Sequence, residues 1–301
     1  MKIYIDGEFH DKENAKISVF DHGLLYGDGV FEGIRAYNGR VFRLREHITR
    51  LFDSAKALML NMPLTVAEME DVVLETCRRN ELCDGYIRLV VTRGAGDLGL
   101  NPIKCPRATV FCIATGIAIY PEEVYEKGLK LITAATQRVP QNALSSAVKS
   151  LNYLNQILVR LEGNLAGADE LVVLNHEGYV AECSADNIFV LLGGKIVTPP
   201  VSAGALGGIT RQTVMELAPQ AGITISEANL TRYDLWTADE IFLTGTAAEV
   251  VPVRELDGRV IGSGQPGPWT RKFIAAYRAL TRGTGAEIFG NSNLKTHISK
   301  P

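Results

Sequence analysis

Residues 20–37 read FDHGLLYGDGVFEGIRAY, a segment that contains four glycines. Residues 17–20, just before its glycines, are apolar and β-branched enough to predict a strand that ends in a turn there. From 43 to 59 the apolar residues recur about every 3.6 positions, which predicts a helix that buries one stripe. Thr65 is followed three positions later by Glu68, a capping box that predicts a second helix. This part of the chain is therefore predicted to combine strands with helices.

The length of 301 residues favours two domains, and the sequence suggests where they divide. Strands predicted between 85 and 114 are expected to pair within a first domain of residues 1–115. Residues 116–127 hold a proline and three glutamates without a regular period, and we expect them to form the interdomain loop. Residues 128–290 are predicted to form the second, larger domain. Residues 291–301 lack an apolar period and are predicted to be a loose tail.

Charge, hydropathy and cysteine content exclude several classes of protein. The 31 basic and 34 acidic residues give a net charge of −3, so we expect no nucleic-acid partner. The longest apolar stretch, 110–119, is shorter than the ~20 residues of a membrane helix, and the N-terminus has no signal-peptide pattern. The five cysteines are an odd number at irregular spacing, and no histidines stand at zinc spacing. We therefore expect a reduced, cytoplasmic protein with no membrane span and no metal.

A formal G-x-G-x-x-G pattern occurs in residues 93–99, RGAGDLG, and in other contexts this pattern binds a dinucleotide. That use requires a helix that begins at once, whereas Pro102 and Pro106 follow within a few residues. We therefore reject a dinucleotide site. The sequence also lacks the usual phosphate-loop, serine-hydrolase and zinc-protease motifs.

Lys149 lies between an apolar loop and the predicted start of an apolar helix. A solvated lysine is the ordinary interpretation of such a residue. Apolar surroundings, however, favour the neutral amine that Schiff-base chemistry on a carbonyl requires. Tyr153 lies four residues later, so the two side chains share one face if the helix begins at Lys149.

Four further signals are weak when each is taken alone. Glu182 interrupts a half-apolar strand, and Arg50 lies on the first long helix, where a solvent-exposed arginine is the ordinary expectation. The glycine-rich loop at 204–211 runs into a helix, whose free amides and dipole suit a phosphate. Thr246 follows a strand among small residues that allow a ligand to approach the backbone. Together, Lys149, Glu182, the loop at Gly208–Thr210 and Thr246 match the set expected of a pyridoxal-phosphate enzyme.

The chain resembles the fold-type IV aminotransferases, and among them the branched-chain amino acid aminotransferases, from about Ile3 to Ala276. Eight motifs in the same order carry the resemblance: FDHGLLYGDGVFEGIRAY, EHITRL, GYIRL, KSLNYLN, GYVAECSADNIF, TPP, GGITR and GTAAEVVPV. The resemblance implies an α/β fold of two domains with mixed sheets and pyridoxal 5'-phosphate held between them. It also implies a homo-oligomer, either a dimer or a multiple of dimers.

The resemblance also implies roles for individual residues. Lys149 would form the Schiff base with the cofactor and later move the proton between the substrate Cα and the cofactor. Glu182 would face the pyridine nitrogen, and Tyr153 would bond the ring oxygen. The other implied cofactor-binding residues, most of them on the phosphate, are Arg50, Leu206, Gly208, Ile209, Thr210 and Thr246.

The implied substrate site must accept both a branched aliphatic side chain and the carboxylate of glutamate. Its implied residues are Tyr26, Phe31, Gly33, Tyr86, Arg88, Thr246 and Ala247. Backbone amides near Thr246 and Ala247 would hold the α-carboxylate with help from Tyr86, and Tyr26 would come from the partner subunit. The fork of Arg88 suits the distal carboxylate, while the aromatic residues suit the branched chain.

The resemblance thus implies amino transfer between L-leucine, L-isoleucine or L-valine and 2-oxoglutarate. Relatives that act on D-amino acids usually carry another residue at the position of Arg88, so the arginine favours L-branched-chain substrates. Leu89 replaces the proline of some bacterial branched-chain enzymes, which keeps transamination of D-amino acids or (R)-amines open. An aminodeoxychorismate lyase of the same fold is another alternative. A cofactor-binding protein without activity is disfavoured by the joint presence of Lys149, Glu182, Tyr153 and Arg50.

Overall fold

The structure, a computed structural model, describes residues 1–117 and 120–290. The predicted loose tail, 291–301, lies outside the described residues. The described chain divides into two compact units. The first unit consists of 1–117, Val148–Asn152 and 280–290, and the second consists of 120–147 and Tyr153–Ala279. Each unit combines one sheet with helices, which confirms the predicted α/β class.

The elements of the described residues follow each other in this order. The strands are β1 (Lys2–Ile5), β2 (Glu8–Asp11), β3 (Gly29–Tyr37), β4 (Arg40–Val41), β5 (Gly85–Thr92), β6 (Thr109–Thr115), β7 (Leu129–Thr133), β8 (Glu170–Leu174), β9 (Val180–Cys183), β10 (Asn187–Leu192), β11 (Lys195–Thr198), β12 (Ile225–Glu227), β13 (Glu240–Gly245), β14 (Glu249–Leu256), β15 (Arg259–Val260) and β16 (Ala286–Glu287). The helices are α1 (His22–Tyr26), α2 (Leu44–Ala57), α3 (Val66–Arg79), α4 (Glu122–Lys127), α5 (Leu154–Ala166), α6 (Ile209–Ala221), α7 (Arg232–Trp236) and α8 (Pro268–Gly283). Short 3-10 turns occur at Pro102–Lys104 and Val201–Ala203. None of these helices is long and apolar enough to cross a membrane.

The first unit is built on a seven-stranded antiparallel sheet in the order β16-β4-β3-β5-β6-β1-β2. Its longest strand, β3, pairs with β5 over eight residues and is buried along almost its whole length. Helices α2 and α3 contribute Ile48, Leu51 and Met69 to the core against the sheet. The helical spacing predicted for both is confirmed, and so is the capping box of Thr65 and Glu68.

The second unit is built on a mixed sheet in the order β12-β11-β10-β13-β14-β7-β8-β9, with β15 paired to β14. Strands β9 and β10 stand five places apart in this order but are joined by only three residues, 184–186. A flat sheet would separate them by about 24 Å, whereas such a connection spans at most about 14 Å. The sheet must therefore curl, and this curl brings the end of β9 beside the start of β10.

The glycine-rich segment differs from its predicted structure, since residues 17–20 do not form a strand. The Asp21 carboxylate accepts the Gly23 N–H at 2.7 Å and starts the short helix α1, and Gly27, at φ 70°, ends it. The remainder of the segment then enters β3. A turn in which the Asp21 N–H donates to the Ser18 carbonyl, followed by the side-chain cap, therefore takes the place of the predicted strand.

The segment that contains Lys149 also differs from the prediction. Helix α5 begins only at Leu154, with Tyr153 as its N-cap residue, so Lys149 and Tyr153 do not share a helix face. The backbone of residues 149–151 is instead extended along β3: the Phe31 N–H donates to the Lys149 carbonyl and the Leu151 N–H to the Gly29 carbonyl. Long-range pairing thus replaces the expected first helical turn. Residues 116–127 likewise include the helix α4, which the sequence reasoning did not predict.

Candidate active site

Lys149 is held by its backbone from two sides. Its carbonyl accepts the Phe31 N–H at 3.0 Å, and its own N–H donates to the Ser54 hydroxyl of α2 at 3.1 Å. Ser54 itself is buried. The amine Nζ lies 4.6 Å from the centroid of the Phe31 ring. The lysine side chain therefore extends from a fixed backbone onto an aromatic surface.

The same Phe31 ring has a second cation near it. The guanidinium of Arg88 lies 4.6 Å from the ring centroid, and its Nη2 donates to the Tyr86 hydroxyl at 2.8 Å. Gly33 is paired with Arg88 across β3 and β5, and a Cβ at Gly33 would lie 2.0 Å from that hydroxyl. The structure thus brings together five predicted site residues, and glycine at position 33 leaves the space that Tyr86 occupies.

Tyr26, another predicted substrate residue, contacts a different part of the first unit from the residues around the Phe31 ring. It lies on α1, is 37% exposed, and its hydroxyl donates to the Leu98 carbonyl at 2.5 Å. Its ring packs edge-on against His22. Its contribution to a partner's site remains a prediction.

Arg50, the predicted phosphate-binding residue, belongs to a cluster that sequence reasoning missed. Its Nε and Nη2 each donate to the Glu32 carboxylate at 2.7 Å, and His47 Nδ1 donates to the same carboxylate at 2.7 Å. Glu32 is fully buried, and burial raises the pKa of its carboxyl. The charges and hydrogen bonds of Arg50 and His47 outweigh burial and lower that pKa from 4.5 to about 2. Burial lowers the pKa of His47 despite the opposing effect of Glu32.

A signal for this cluster is present in the sequence. His47, Arg50 and Ser54 recur at helical spacing, so they share one face of α2. Glu32 is an acid inside VFEGIRAY, a strand that is buried on both faces. Local sequence patterns do not, however, indicate that β3 lies against this face of α2.

In the second unit, Glu182 on β9 is a buried carboxylate with three donors. Arg138 bonds one oxygen through Nη2, while the Leu206 N–H and the Asn187 amide donate to the other at 2.9 and 3.2 Å. Arg138 also donates through Nε to the Gly204 carbonyl at 3.0 Å. Sequence reasoning predicted Glu182 and Leu206 as site residues but missed Arg138 and Asn187. The carboxylate is thus fixed in place by the glycine-rich loop and by β10.

The glycine-rich loop ends in an open helix terminus. Gly208 is the N-cap residue of α6, and because glycine has no side chain it provides no side-chain cap for the amides that follow at Ile209 and Thr210. A Cβ at Gly208 would lie 2.1 Å from Asn187 Oδ1, so this position requires glycine. Uncapped amides and the helix dipole together favour an anion.

The remaining predicted residues of the second unit lie at the ends of two elements. Thr246 and Ala247 form the turn between β13 and β14. Gly245, just before them, is so close to Asp186 that a Cβ there would lie 1.9 Å from its carboxylate. Tyr153 is half-buried at the start of α5, where its carbonyl accepts the Ile157 N–H.

The chemistry of these residues fits the predicted pyridoxal phosphate. The Lys149 amine is the kind of group that condenses with an aldehyde. The Arg50 guanidinium and the uncapped amides at the start of α6 are both phosphate-binding groups. The buried Glu182 carboxylate is the kind of partner that a protonated pyridine nitrogen needs.

Comparison with known proteins gives a consistent result. The family model of class IV amino-transferases matches residues 29–256. A protein of Methanocaldococcus jannaschii, whose provisional name is branched-chain-amino-acid aminotransferase, is 54% identical over 289 residues, 96% of this chain and 99% of that protein. The crystal structure of the Escherichia coli branched-chain amino acid aminotransferase has a TM-score of 0.91 at 36% identity and covers 96% of this chain and 97% of its own.

A third similar protein was crystallised with several ligands. The T.th. branched-chain amino acid aminotransferase in complex with N-(5'-phosphopyridoxyl)-L-glutamate has a TM-score of 0.89 at 40% identity, with 94% of each chain covered. The same protein was crystallised with pyridoxamine 5'-phosphate and with 4-methylvaleric acid.

Proposed function

The chain belongs to the class IV amino-transferase family, and from this premise we propose that it is a branched-chain-amino-acid aminotransferase. It transfers the amino group between L-leucine, L-isoleucine or L-valine and 2-oxoglutarate, giving the branched-chain 2-oxo acids and L-glutamate. Relatives that are 36–54% identical carry the name of this activity. The T.th. relative binds both a glutamate adduct of the cofactor and a branched aliphatic acid, which supports two kinds of substrate.

One observation carries the substrate assignment: Arg88 lies against Phe31 and bonds the Tyr86 hydroxyl. The Nε of Arg88 is buried and has no hydrogen-bond partner within the described residues, so the guanidinium has unused donor capacity. A carboxylate of glutamate would use that capacity through a charge-assisted bond. The Phe31 ring offers an apolar surface for a branched side chain beside the same cation.

Pyridoxal phosphate, the cofactor of this family, supplies an electron sink for the pair released when the substrate Cα–H bond breaks. With the cofactor bound, the amine of Lys149 would hold it covalently and would be the base that takes the proton from the substrate Cα. The Glu182 carboxylate would face the pyridine nitrogen, and the Tyr153 hydroxyl would donate to the ring oxygen.

The chain's other site residues bind and orient the two ligands. Arg50 and the amides of Ile209 and Thr210 hold the phosphate, together with Thr246. The Thr246–Ala247 turn binds the α-carboxylate of the substrate with help from Tyr86. Phe31 and Gly33 line the side-chain pocket, and Tyr26 is supplied by a second copy of the chain, which makes the active protein a homo-oligomer.

The experiment is to add four amines separately to the cofactor-loaded protein, without a keto acid, and to follow the cofactor absorbance. The amines are L-leucine, D-alanine, (R)-1-phenylethylamine and 4-amino-4-deoxychorismate. The proposal expects L-leucine to shift the band at the lowest concentration. A stronger response to D-alanine or the amine would overturn the substrate assignment, and pyruvate released from aminodeoxychorismate would indicate a lyase.

The role of Lys149 is tested by Lys149→Ala, with Lys56→Ala as the control, because Lys56 is an exposed lysine on α2. The first variant is expected to lose turnover, since no other group replaces both its bond to the cofactor and its proton transfer. The second is expected to keep it. Normal turnover by Lys149→Ala would refute the mechanism.

A further inference from the structure

Glu32 is a buried charge whose location calls for an explanation. Its side chain is 0% exposed on β3, between Phe31 and Gly33, two residues of the proposed substrate pocket. An ionised carboxylate is costly to bury unless it is paired and fully hydrogen-bonded. Here Arg50 and His47 supply three donors at 2.7 Å. A simple apolar residue would serve the core of the unit, so the carboxylate has a role beyond packing.

The geometry of the bond to Arg50 suggests that role. Glu32 accepts from Nε and from Nη2, one on each carboxylate oxygen, which fixes the plane of the guanidinium. Because these donors lie on one edge of the planar group, its Nη1 corner is turned away from Glu32. The Arg50 side chain is 14% exposed while that of Glu32 is fully enclosed. The guanidinium of Arg50 is therefore anchored to Glu32 along one edge, while part of the Arg50 side chain remains exposed.

His47 fixes the carboxylate itself. Its Nδ1 donates to Oε2, the same oxygen that accepts from Arg50 Nη2, so this oxygen is held from two directions. His47 is 1% exposed and lies one helical turn before Arg50 on α2. The helix thus presents both partners of Glu32 on one face, and neither can move without breaking a hydrogen bond to the buried carboxylate.

We propose that Glu32, held by His47, is a positioning residue that orients Arg50 for the phosphate of the cofactor. This inference rests on the proposed function, since it concerns the same phosphate site. Glu32 acts through Arg50 and does not itself contact the cofactor.

A purely electrostatic role for Glu32 predicts the opposite result on substitution. If Glu32 only neutralises Arg50, its replacement by a neutral residue leaves a stronger cation, and phosphate binds more tightly. If Glu32 orients Arg50, the same replacement frees the guanidinium, and phosphate binds more weakly. The direction of the change therefore separates the two roles.

The experiment measures the affinity of the apo-protein for pyridoxal phosphate, for pyridoxal, which lacks the phosphate, and for inorganic phosphate. In Glu32→Gln we expect the affinity for pyridoxal phosphate and for phosphate to fall about tenfold, with little change for pyridoxal. Glu46→Gln is the matched control, because Glu46 lies on the same helix and pairs with Arg43 at the surface. It should leave all three affinities unchanged.

A double-substitution cycle tests whether Glu32 acts through Arg50. Arg50→Lys removes the planar fork, so adding Glu32→Gln to it should cause no further loss of phosphate affinity. A role confined to folding would instead make the two losses add. Additive losses, or unchanged or tighter phosphate binding by folded Glu32→Gln, would overturn the proposal.

Glu32→Asp provides a second variant if Glu32→Gln fails to fold. It keeps the charge but withdraws the carboxylate by one methylene, and we expect the same selective loss of phosphate affinity. An unchanged ratio of pyridoxal phosphate to pyridoxal affinity in this variant would count equally against the proposal. These measurements use no substrate, so they are independent of which amine reacts. A wild-type protein that binds no pyridoxal phosphate would instead refute the proposed function.

Discussion

Glu32, a residue of the candidate site, also makes the stability of the fold depend on pH. Its pKa is lowered from 4.5 to about 2 in the folded protein, since Arg50 and His47 outweigh burial. A lowered folded-state pKa means that the ionised carboxylate stabilises the fold above pH 4.5 and that this contribution is lost as the pH falls toward 2. The shift corresponds to about 3 kcal/mol at neutral pH.

We therefore expect the free energy of unfolding of the wild type to exceed that of Glu32→Gln by an amount that shrinks between pH 4.5 and pH 2. Urea unfolding of both proteins across this range measures the difference. Glu46→Gln, an exposed acid on α2, serves as the reference for general acid effects. A difference that stays constant between pH 4.5 and pH 2 would mean that the pKa of Glu32 is not lowered in the folded protein.

At Gly33 the argument is steric. An added Cβ would lie 2.0 Å from the Tyr86 hydroxyl, so Gly33→Ala must displace Tyr86 and break its bond to Arg88. We expect kcat/KM for 2-oxoglutarate to fall roughly tenfold or more, because both residues belong to the proposed carboxylate site. Gly283→Ala is the control, since among the described residues nothing beyond its chain neighbours and its own helix backbone lies within 4 Å of the added Cβ. Equal loss in both variants would contradict a local effect.

Among the elements, helix α3 shows how local sequence starts a helix. Thr65 accepts the Glu68 N–H through its hydroxyl, and the Glu68 carboxylate accepts the Thr65 N–H at 2.7 Å. Thr65→Ala removes one half of this box and is expected to lower the free energy of unfolding by about 1 kcal/mol. Thr65→Ser keeps the hydroxyl and should remain near the wild type. Thermal or urea unfolding of the two variants and the wild type measures these differences. Equal stability of Thr65→Ala and the wild type would show that the cap contributes nothing.

At the scale of the whole molecule, the first unit combines segments that are far apart in the sequence, and its stability is expected to depend on all of them. Residues 280–290 return to this unit from the far end of the chain, and Ile288 enters its core with no exposed surface. Its N–H donates to the Gly39 carbonyl and its carbonyl accepts from Arg78 Nε. The C-terminal segment is therefore part of a domain that begins at residue 1.

Ile288→Ala is accordingly expected to destabilise the protein by about 2–5 kcal/mol, through lost burial and the cavity left behind. Ile103→Ala, at a side chain that is 85% exposed, provides the matched change at the surface and should have little effect. Urea unfolding followed by circular dichroism compares the two. A small loss for Ile288→Ala would indicate that this segment is not integral to the first unit.

Elements whose signals are local could be predicted from the amino-acid sequence. The strands predicted between 85 and 114 are present as β5 and β6, and α2 and α3 follow their apolar spacing. The family could be predicted as well, because eight ordered motifs carry the resemblance that the family model confirms. Local patterns suffice in these cases, since burial period, caps and turn residues act within a few positions of each other.

Which distant residues become partners depends on the tertiary fold. Glu32 meets Arg50 18 residues away, and Arg138 meets Glu182 44 residues away, and neither pair has a spacing that marks it. The extended backbone at Lys149 arose in the same way, because pairing with β3 satisfied amide and carbonyl groups that the expected helical turn would have satisfied locally. Buried charges and backbone groups must find partners wherever the fold supplies them, and sheet order and helix packing determine where that is.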